Sequence, residues 1–404
     1  MSGIPRKTQA LTIQGAKSAQ KPLYHDAVIV ERPLPSPKPG EVVVKIGAAG
    51  FNHKDLWQRM GQYPGIVMGA VFGGDGAGTV VASGTPNDPY LKKRVFLNPT
   101  RGWENDPCGP ESNFGILGGV VFPPLGTFAE YVVVERDQVI PTPEHLDDVH
   151  AAAWPIGGVT AWRAVAVNAQ VDRGHNVLIT GIGGGVALLA MQLCLAKGAN
   201  VYVTSGNREK IEKAISLGAK GGASYKDSRL FISVTQVVIF VAALDSSDSD
   251  SCVLALENWP AQIESLLNKV KKGTMLDAII DSAGGDIMGQ AGKMLKQGGR
   301  VVCYGMTASP KITMTMRQVL ANQQLIGSTM GSKQDMKDAT DFLATHRIVP
   351  IVSHVLDGLE SAEEGFELLK RGDQFGKVVI RLFDTMVNHG EFAASLQASM
   401  QCRT

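Results

Sequence analysis

Four glycines within five positions, Gly181, Gly183, Gly184 and Gly185, follow an apolar run of strand length, Asn176 to Thr180. A helix-length apolar segment continues to Lys197-Gly198, and a second β-branched run ends at Val203. Glycines let a backbone approach a pyrophosphate, and the first N–H groups of a following helix point at the charge. The chemistry this allows is the holding of a dinucleotide, with Gly183, Gly184, Gly185 and Val186 as its cradle. A strict G-x-G-x-x-G does not fit, because Val186 stands where the third glycine would fall. The order strand, turn, helix, strand therefore carries the reading, and the plain alternative for the glycines alone is a flexible turn.

The next residues bear on which dinucleotide. A site for NAD places Asp or Glu about 20 residues beyond the glycines, on the ribose hydroxyls, whereas a 2′-phosphate asks for small polar and basic groups. The second strand runs into Thr204-Ser205-Gly206-Asn207-Arg208-Glu209-Lys210. No acid stands at the strand end, and Ser205, Arg208 and Lys210 can donate to a phosphate. The alternative for Arg208 to Lys213 is the solvated start of a helix. NADP(H) is expected over NAD(H).

A chain of 404 residues exceeds one ordinary core, so two domains should position these groups. With 39 basic and 38 acidic residues the net charge is +1, which gives no case for nucleic acid or an anionic membrane; the expected partner is a small molecule. Five cysteines, Cys108, Cys194, Cys252, Cys303 and Cys402, are odd in number and lack metal-type spacing, which suits a reducing compartment. The first residues lack the apolar core of a signal peptide, and a cytoplasmic protein is expected.

Up to about residue 150 the pattern alternates in β fashion, at Ala27 to Glu31, Glu41 to Ala49, Gly76 to Ser83, Lys93 to Leu97 and Gly126 to Val134. Beyond it helices alternate with strands, which implies a parallel sheet. Five segments then stand in a telling order: Gly50-Phe51-Asn52-His53-Lys54-Asp55 with Tyr63-Pro64 after it, Gly73-Gly74-Asp75-Gly76-Ala77-Gly78, Gly157-Gly158-Val159-Thr160-Ala161-Trp162, the nucleotide unit, and Gly376-Lys377-Val378-Val379-Ile380. Over residues 8 to 383 the chain resembles the medium-chain dehydrogenases/reductases, in their zinc-less, quinone-oxidoreductase-like branch.

The resemblance implies an α/β protein with a GroES-like, barrel-like β domain for the substrate, residues 1–149 and 347–384, and a Rossmann domain with a doubly wound parallel sheet for the cofactor, residues 150–346. Zinc-dependent members carry Cys, His and Cys where this chain has Asn52, Gly74 and Ile156, and the loop Asn98 to Gly119 holds only Cys108, so no metal is expected. Without a Lewis acid to hold an alkoxide, reduction of an activated acceptor is favoured. By resemblance Asn52 and Tyr63 polarise the substrate, Tyr63 as donor or proton relay, the alternative being a packed cleft wall. Thr160, opening the helix after Gly157-Gly158, touches the nicotinamide side or is an ordinary N-cap, and Tyr225 stacks near the adenine. Pairing through Gln324 to Met330 makes a homodimer.

Between Asp227 and Trp259 the family pattern breaks. Leu230 to Leu244 is nearly all apolar, and Asp245 to Asp250 is polar. The pattern rejoins cleanly on either side, so residues 229–258 read as an aberrant insertion, translated intron or gene-model error; the rival is a hairpin packed on a partner subunit. Residues 385–404 read as a loose tail. The function expected is NADPH-dependent, zinc-independent hydride transfer to a quinone, an α,β-unsaturated carbonyl or an aldehyde. The alternatives are a zinc-free alcohol or aldehyde dehydrogenase, and a non-catalytic NADPH-binding sensor or structural protein.

Overall fold

Along Glu41–Gly50, EVVVKIGAAG, apolar residues occupy nearly every position, which suits a strand covered on both faces. It becomes the centre of a seven-stranded sheet in the computed structural model, which describes residues 4–16, 23–226, 230–232 and 258–383. On one side it pairs antiparallel with Asp75–Ser83, then come Arg94–Leu97 and Val139–Pro141; Tyr131–Glu135 also pairs with it. Register shifts at Val43/Val44 and Ile46/Ala48 bend the central strand, the usual effect of a bulge, and the sheet curls around Phe51, Phe72 and Phe128, all buried.

On its other side the central strand pairs with Lys377–Arg381, which returns from the far end of the chain with Val352–Asp357 beyond it. Two registers bring three polar residues to one place. Gly50 lies opposite both Asp75 and Val379, and the Phe51 amide donates to Val378 O at 2.9 Å. Asn52, Asp75 and Lys377, far apart in sequence, therefore meet at one end of the sheet.

The second seven-stranded sheet runs Leu230–Ile232, Gly221–Ser224, Asn200–Ser205, Asn176–Ile179, Leu276–Asp281, Leu295–Cys303, Gln324–Gly327. Its strands are parallel except Leu230–Ile232. Asn176–Ile179 sits where the strand order reverses, and ligands of open α/β sheets bind outside the strand ends at that point. The helix after it, Gly185–Ala196, is apolar around most of its circumference and accordingly buried, from Ala187 to Met191 and at Leu193 and Cys194.

Of the stretch 229–258, Leu230–Ile232 adds an antiparallel edge to Gly221–Ala223, and Asn258 caps the helix Trp259–Val270 by accepting from the Ala261 amide. The remainder of that stretch, and the tail 385–404, lie outside the described residues. The helix expected to open at Thr160 starts earlier, at Pro155, and runs to Trp162. Proline is favoured in a first turn because its missing N–H would have no partner there. Gly157 and Gly158 lie inside the helix, where a Cβ would meet Leu189 at 2.8 Å and the Trp154 ring at 2.5 Å.

Candidate active site

A cavity of about 320 Å³ runs between the two sheets. One wall is the glycine turn. Gly181 and Gly183 take positive φ, +67° and +117°, which only glycine adopts without strain. Gly184, the N-cap of the buried helix, is extended and offers its first turn no capping side chain, so those N–H groups are open to a ligand. Two lysine stems come in against the turn. A Cβ on Gly183 would lie 2.6 Å from Lys210 Cδ, and one on Gly185 would lie 2.6 Å from Lys377 Cδ. Bare glycine thus makes room for two cations as well as for a backbone cradle.

The same wall extends to Ser205, Lys210 and Tyr225. Ser205 is buried at its strand end, where its Oγ accepts from the Asn207 amide at 3.2 Å. Lys210 donates to Gly372 O at 2.6 Å, tying the helix Arg208–Ser216 to the return segment; burial lowers its pKa. Tyr225 is exposed, its ring laid against Gly206. Among the described residues no Asp or Glu directly lines the cavity.

On the opposite side Asn52 and Lys377 of the barrel domain line the cavity, and both are bonded to Asp75. Asp75, wholly buried, accepts the Ile156 amide on Oδ1 at 2.7 Å; its Oδ2 accepts from Asn52 Nδ2 at 2.9 Å and from Lys377 Nζ at 2.8 Å. Lys377 Nζ also donates to Asn52 Oδ1 at 2.7 Å. Asn52 caps the helix His53–Arg59, where the Asp55 carboxylate accepts its amide at 2.8 Å. Burial raises the Asp55 pKa and lowers that of neighbouring Lys54, whose Nζ lies 3.5 Å from Asp55 and donates to Gly118 O at 2.9 Å.

The cavity gathers Asn52, Gly183, Gly184, Gly185, Val186, Ser205, Lys210 and Tyr225, but not Tyr63, Thr160 or Arg208. Tyr63 has Lys54 Nζ 5.6 Å from its ring, and burial raises its pKa. Thr160 is buried in mid-helix, its hydroxyl donating to Ile156 O at 2.7 Å, because a threonine past the first turn can return its proton to the carbonyl four residues back. Arg208 pairs with Glu212 one helical turn on, at 2.7 Å. Among the cavity residues not read in the sequence as site groups are Tyr304 and Lys377. Tyr304 follows the strand Leu295–Cys303, and burial pushes its phenol well above the ordinary value, which keeps it a donor. Lys377 was visible only as part of a closing motif.

Residues 38–144 match the family model described as an alcohol dehydrogenase GroES-like domain, and residues 185–345 the one described as a zinc-binding dehydrogenase. The zinc-type alcohol dehydrogenase-like protein YogA of Leptosphaeria maculans is 38% identical over 383 residues, 92% of this chain and 99% of that protein. The zinc-type alcohol dehydrogenase-like protein C1773.06c of Schizosaccharomyces pombe is 29% identical over 357 residues, 85% and 91% respectively. Among solved structures, an NAD-dependent alcohol dehydrogenase superposes with a TM-score of 0.72 at 28% identity, covering 93% of this chain and 100% of that one. A crotonyl-CoA carboxylase/reductase in complex with NADP reaches 0.77 at 20% identity over 95% and 96%, a likeness of fold.

One family description and both curated relatives carry zinc in their names, and the donor set of this chain does not fit it. Catalytic zinc takes three side chains from Cys, His, Asp and Glu. Among the described residues no three such groups come together. A side chain on Gly74 would meet Ile156 Cδ1 at 2.5 Å, and both Asp75 oxygens are engaged, one of them by an ammonium that a dication would repel. Both halves matched in chain order, with 38% identity along almost the whole of a relative, place the chain in a family: it belongs to the medium-chain dehydrogenase/reductase superfamily.

Proposed function

We propose that this oxidoreductase of the superfamily uses NADPH to reduce an activated acceptor, a quinone, an α,β-unsaturated carbonyl or an aldehyde, without a metal. When bound, the reduced nicotinamide supplies hydride. The chain's own part is to hold it, with Gly183 to Val186 under the pyrophosphate, Ser205 and Lys210 toward the 2′-phosphate and Tyr225 against the adenine. The observation that carries the reading is that one cavity joins an acid-free strand end, with Lys210 beside it, to the Lys377 ammonium, held by Asp75, at its other wall. The first favours a phosphate over free ribose hydroxyls, and the second supplies positive charge for an acceptor oxygen.

The test is NADPH oxidation, followed by absorbance, against phenanthrenequinone, a 2-alkenal, an enone, furfural and ethanol, with and without a chelator. Turnover of an activated acceptor, indifferent to chelator and slower with NADH, is expected. Chelator-sensitive oxidation of ethanol, or binding of NADPH with no turnover of any acceptor, overturns the reading. We further propose a homodimer paired along Gln324–Gly327, an edge strand of the cofactor sheet with Met316, Val319 and Leu320 exposed on the helix just before it. Light scattering should give a dimer mass, and Leu320→Asp a monomer.

A further inference from the structure

Asn52 is poorly placed for the task expected of it. Its Oδ1 accepts from Lys377, and its Nδ2 donates to Asp75 at 2.9 Å and reaches Gly50 O at 3.4 Å. Both ends of the carboxamide are engaged before any substrate arrives. Lys377 differs. An ammonium has three N–H donors, and two are engaged, on Asn52 and Asp75. Its stem is fixed by the strand Lys377–Arg381 and by contact with Gly185, its side chain is 5% exposed, and it lines the cavity.

We propose that Lys377 is the electrophile of this site, donating its third N–H to the acceptor's carbonyl oxygen, with Asp75 and Asn52 as the residues that position it. This rests on the oxidoreductase reading above. The acceptor takes up hydride, one proton with two electrons, at the carbonyl carbon of an aldehyde or the β-carbon of an enone. The π electrons end on oxygen, which bears its negative charge against the ammonium and then takes a proton from water, while the nicotinamide is left oxidised. A fixed cation in a site shielded from water stabilises such an oxygen far more than one in solvent. The geometry gives an organic cation the part that a metal would otherwise perform, at the point where Asn52, Gly74 and Ile156 leave no metal site.

The experiment compares wild type, Lys377→Met, Lys377→Arg and the double variant Asp75→Asn/Lys377→Met in the full chain, each checked for a folded melting transition. The double variant leaves no buried carboxylate unpaired, so it stays informative where Lys377→Met alone does not fold. With a 2-alkenal and saturating NADPH, kcat is expected to fall about 100-fold or more in both Met variants, with the NADPH Kd held within about 3-fold. Without cofactor, the anion of 2-hydroxy-1,4-naphthoquinone, followed by its visible band, should bind the Met variants about 10-fold more weakly than wild type, and Lys377→Arg should recover part of that. Retention of kcat, or unchanged binding of the anion, overturns the assignment. So does a large rise in NADPH Kd with kcat intact, which would give the ammonium to the cofactor's phosphates. A wild type that reduces no acceptor sinks the functional reading as well, whereas a turning-over wild type beside an equally active variant sinks this assignment alone.

Discussion

On the cofactor side of the cleft, Gly183, Gly184 and Gly185 present backbone, and no side chain caps the helix behind them. On the barrel side, Asn52, Asp75 and Lys377 are bonded to one another and only one donor of Lys377 is left over. The first wall is completed by its ligand and the second is complete without one. Changes on the barrel wall should therefore cost the folded protein, and changes on the cofactor wall should cost binding alone.

The largest effect is expected from Asp75→Ala. It removes the partner of a buried ammonium and the acceptor of the Ile156 amide, and breaking a buried ion pair from one side costs about 3–5 kcal/mol. Chemical denaturation should show that loss in the absence of any cofactor. A loss much under 1 kcal/mol would mean the two walls differ less than their bonding indicates.

On the other wall Ser205→Asp should invert cofactor choice. A carboxylate at the end of Asn200–Ser205 repels a 2′-phosphate and can accept from ribose hydroxyls. NADPH should bind about 100-fold more weakly, about 2.7 kcal/mol, while NADH binds more tightly; calorimetric titration of both decides it. The two basic residues nearby separate on the same measurement. Lys210→Ala should weaken NADPH about 10-fold, about 1.4 kcal/mol, whereas Arg208→Ala, whose guanidinium turns to Glu212, should change it less than about 2-fold. Equal losses would return Arg208 to the phosphate site expected from sequence.

The difference between the walls also explains what was legible in the sequence. The cofactor wall is local. Its strand, turn and helix follow one another from Asn176 to Ala196, so glycine spacing and apolar period suffice to place Gly183 to Val186, and Ser205 and Tyr225 follow at strand ends. The barrel wall joins positions 52, 75 and 377 through strand registers that no periodicity encodes. Asn52 was readable as a candidate, but that its amide is already engaged was not. Lys377 looked like one charge in a closing strand, and only the pairing of that strand with Glu41–Gly50 brings it to the cleft. Thr160 shows the converse fault. The glycines before it suggested a helix start, but packing of Gly157 on Leu189 and Gly158 on Trp154 places them inside one.

The smallest expected effect tests the contrast within the barrel domain itself. Backbone amides are gathered there too, at Glu104, Asn105 and Asp106, but they are already filled: the Glu111 carboxylate accepts all three, at 2.7, 2.7 and 2.6 Å. These bonds, that of Asn105 foremost, pull the carboxyl pKa from 4.5 down to about 2. A carboxylate with a depressed pKa adds stability that is whole above its ordinary value and fades as pH falls from there through about 2. The protection factors of the amides at residues 104–106, exchange rates taken against the intrinsic rate at each pH, should thus fall across that acid window in wild type. In Glu111→Gln they should be lower already at neutral pH and flat across the same window. Trp103, whose ring nitrogen donates to Asp106 O at 2.7 Å, gives an optical reading of the same change. The amides of the helix at Gly185, which no capping side chain among the described residues fills, should show no acid step of this kind and should gain protection only when NADPH is added.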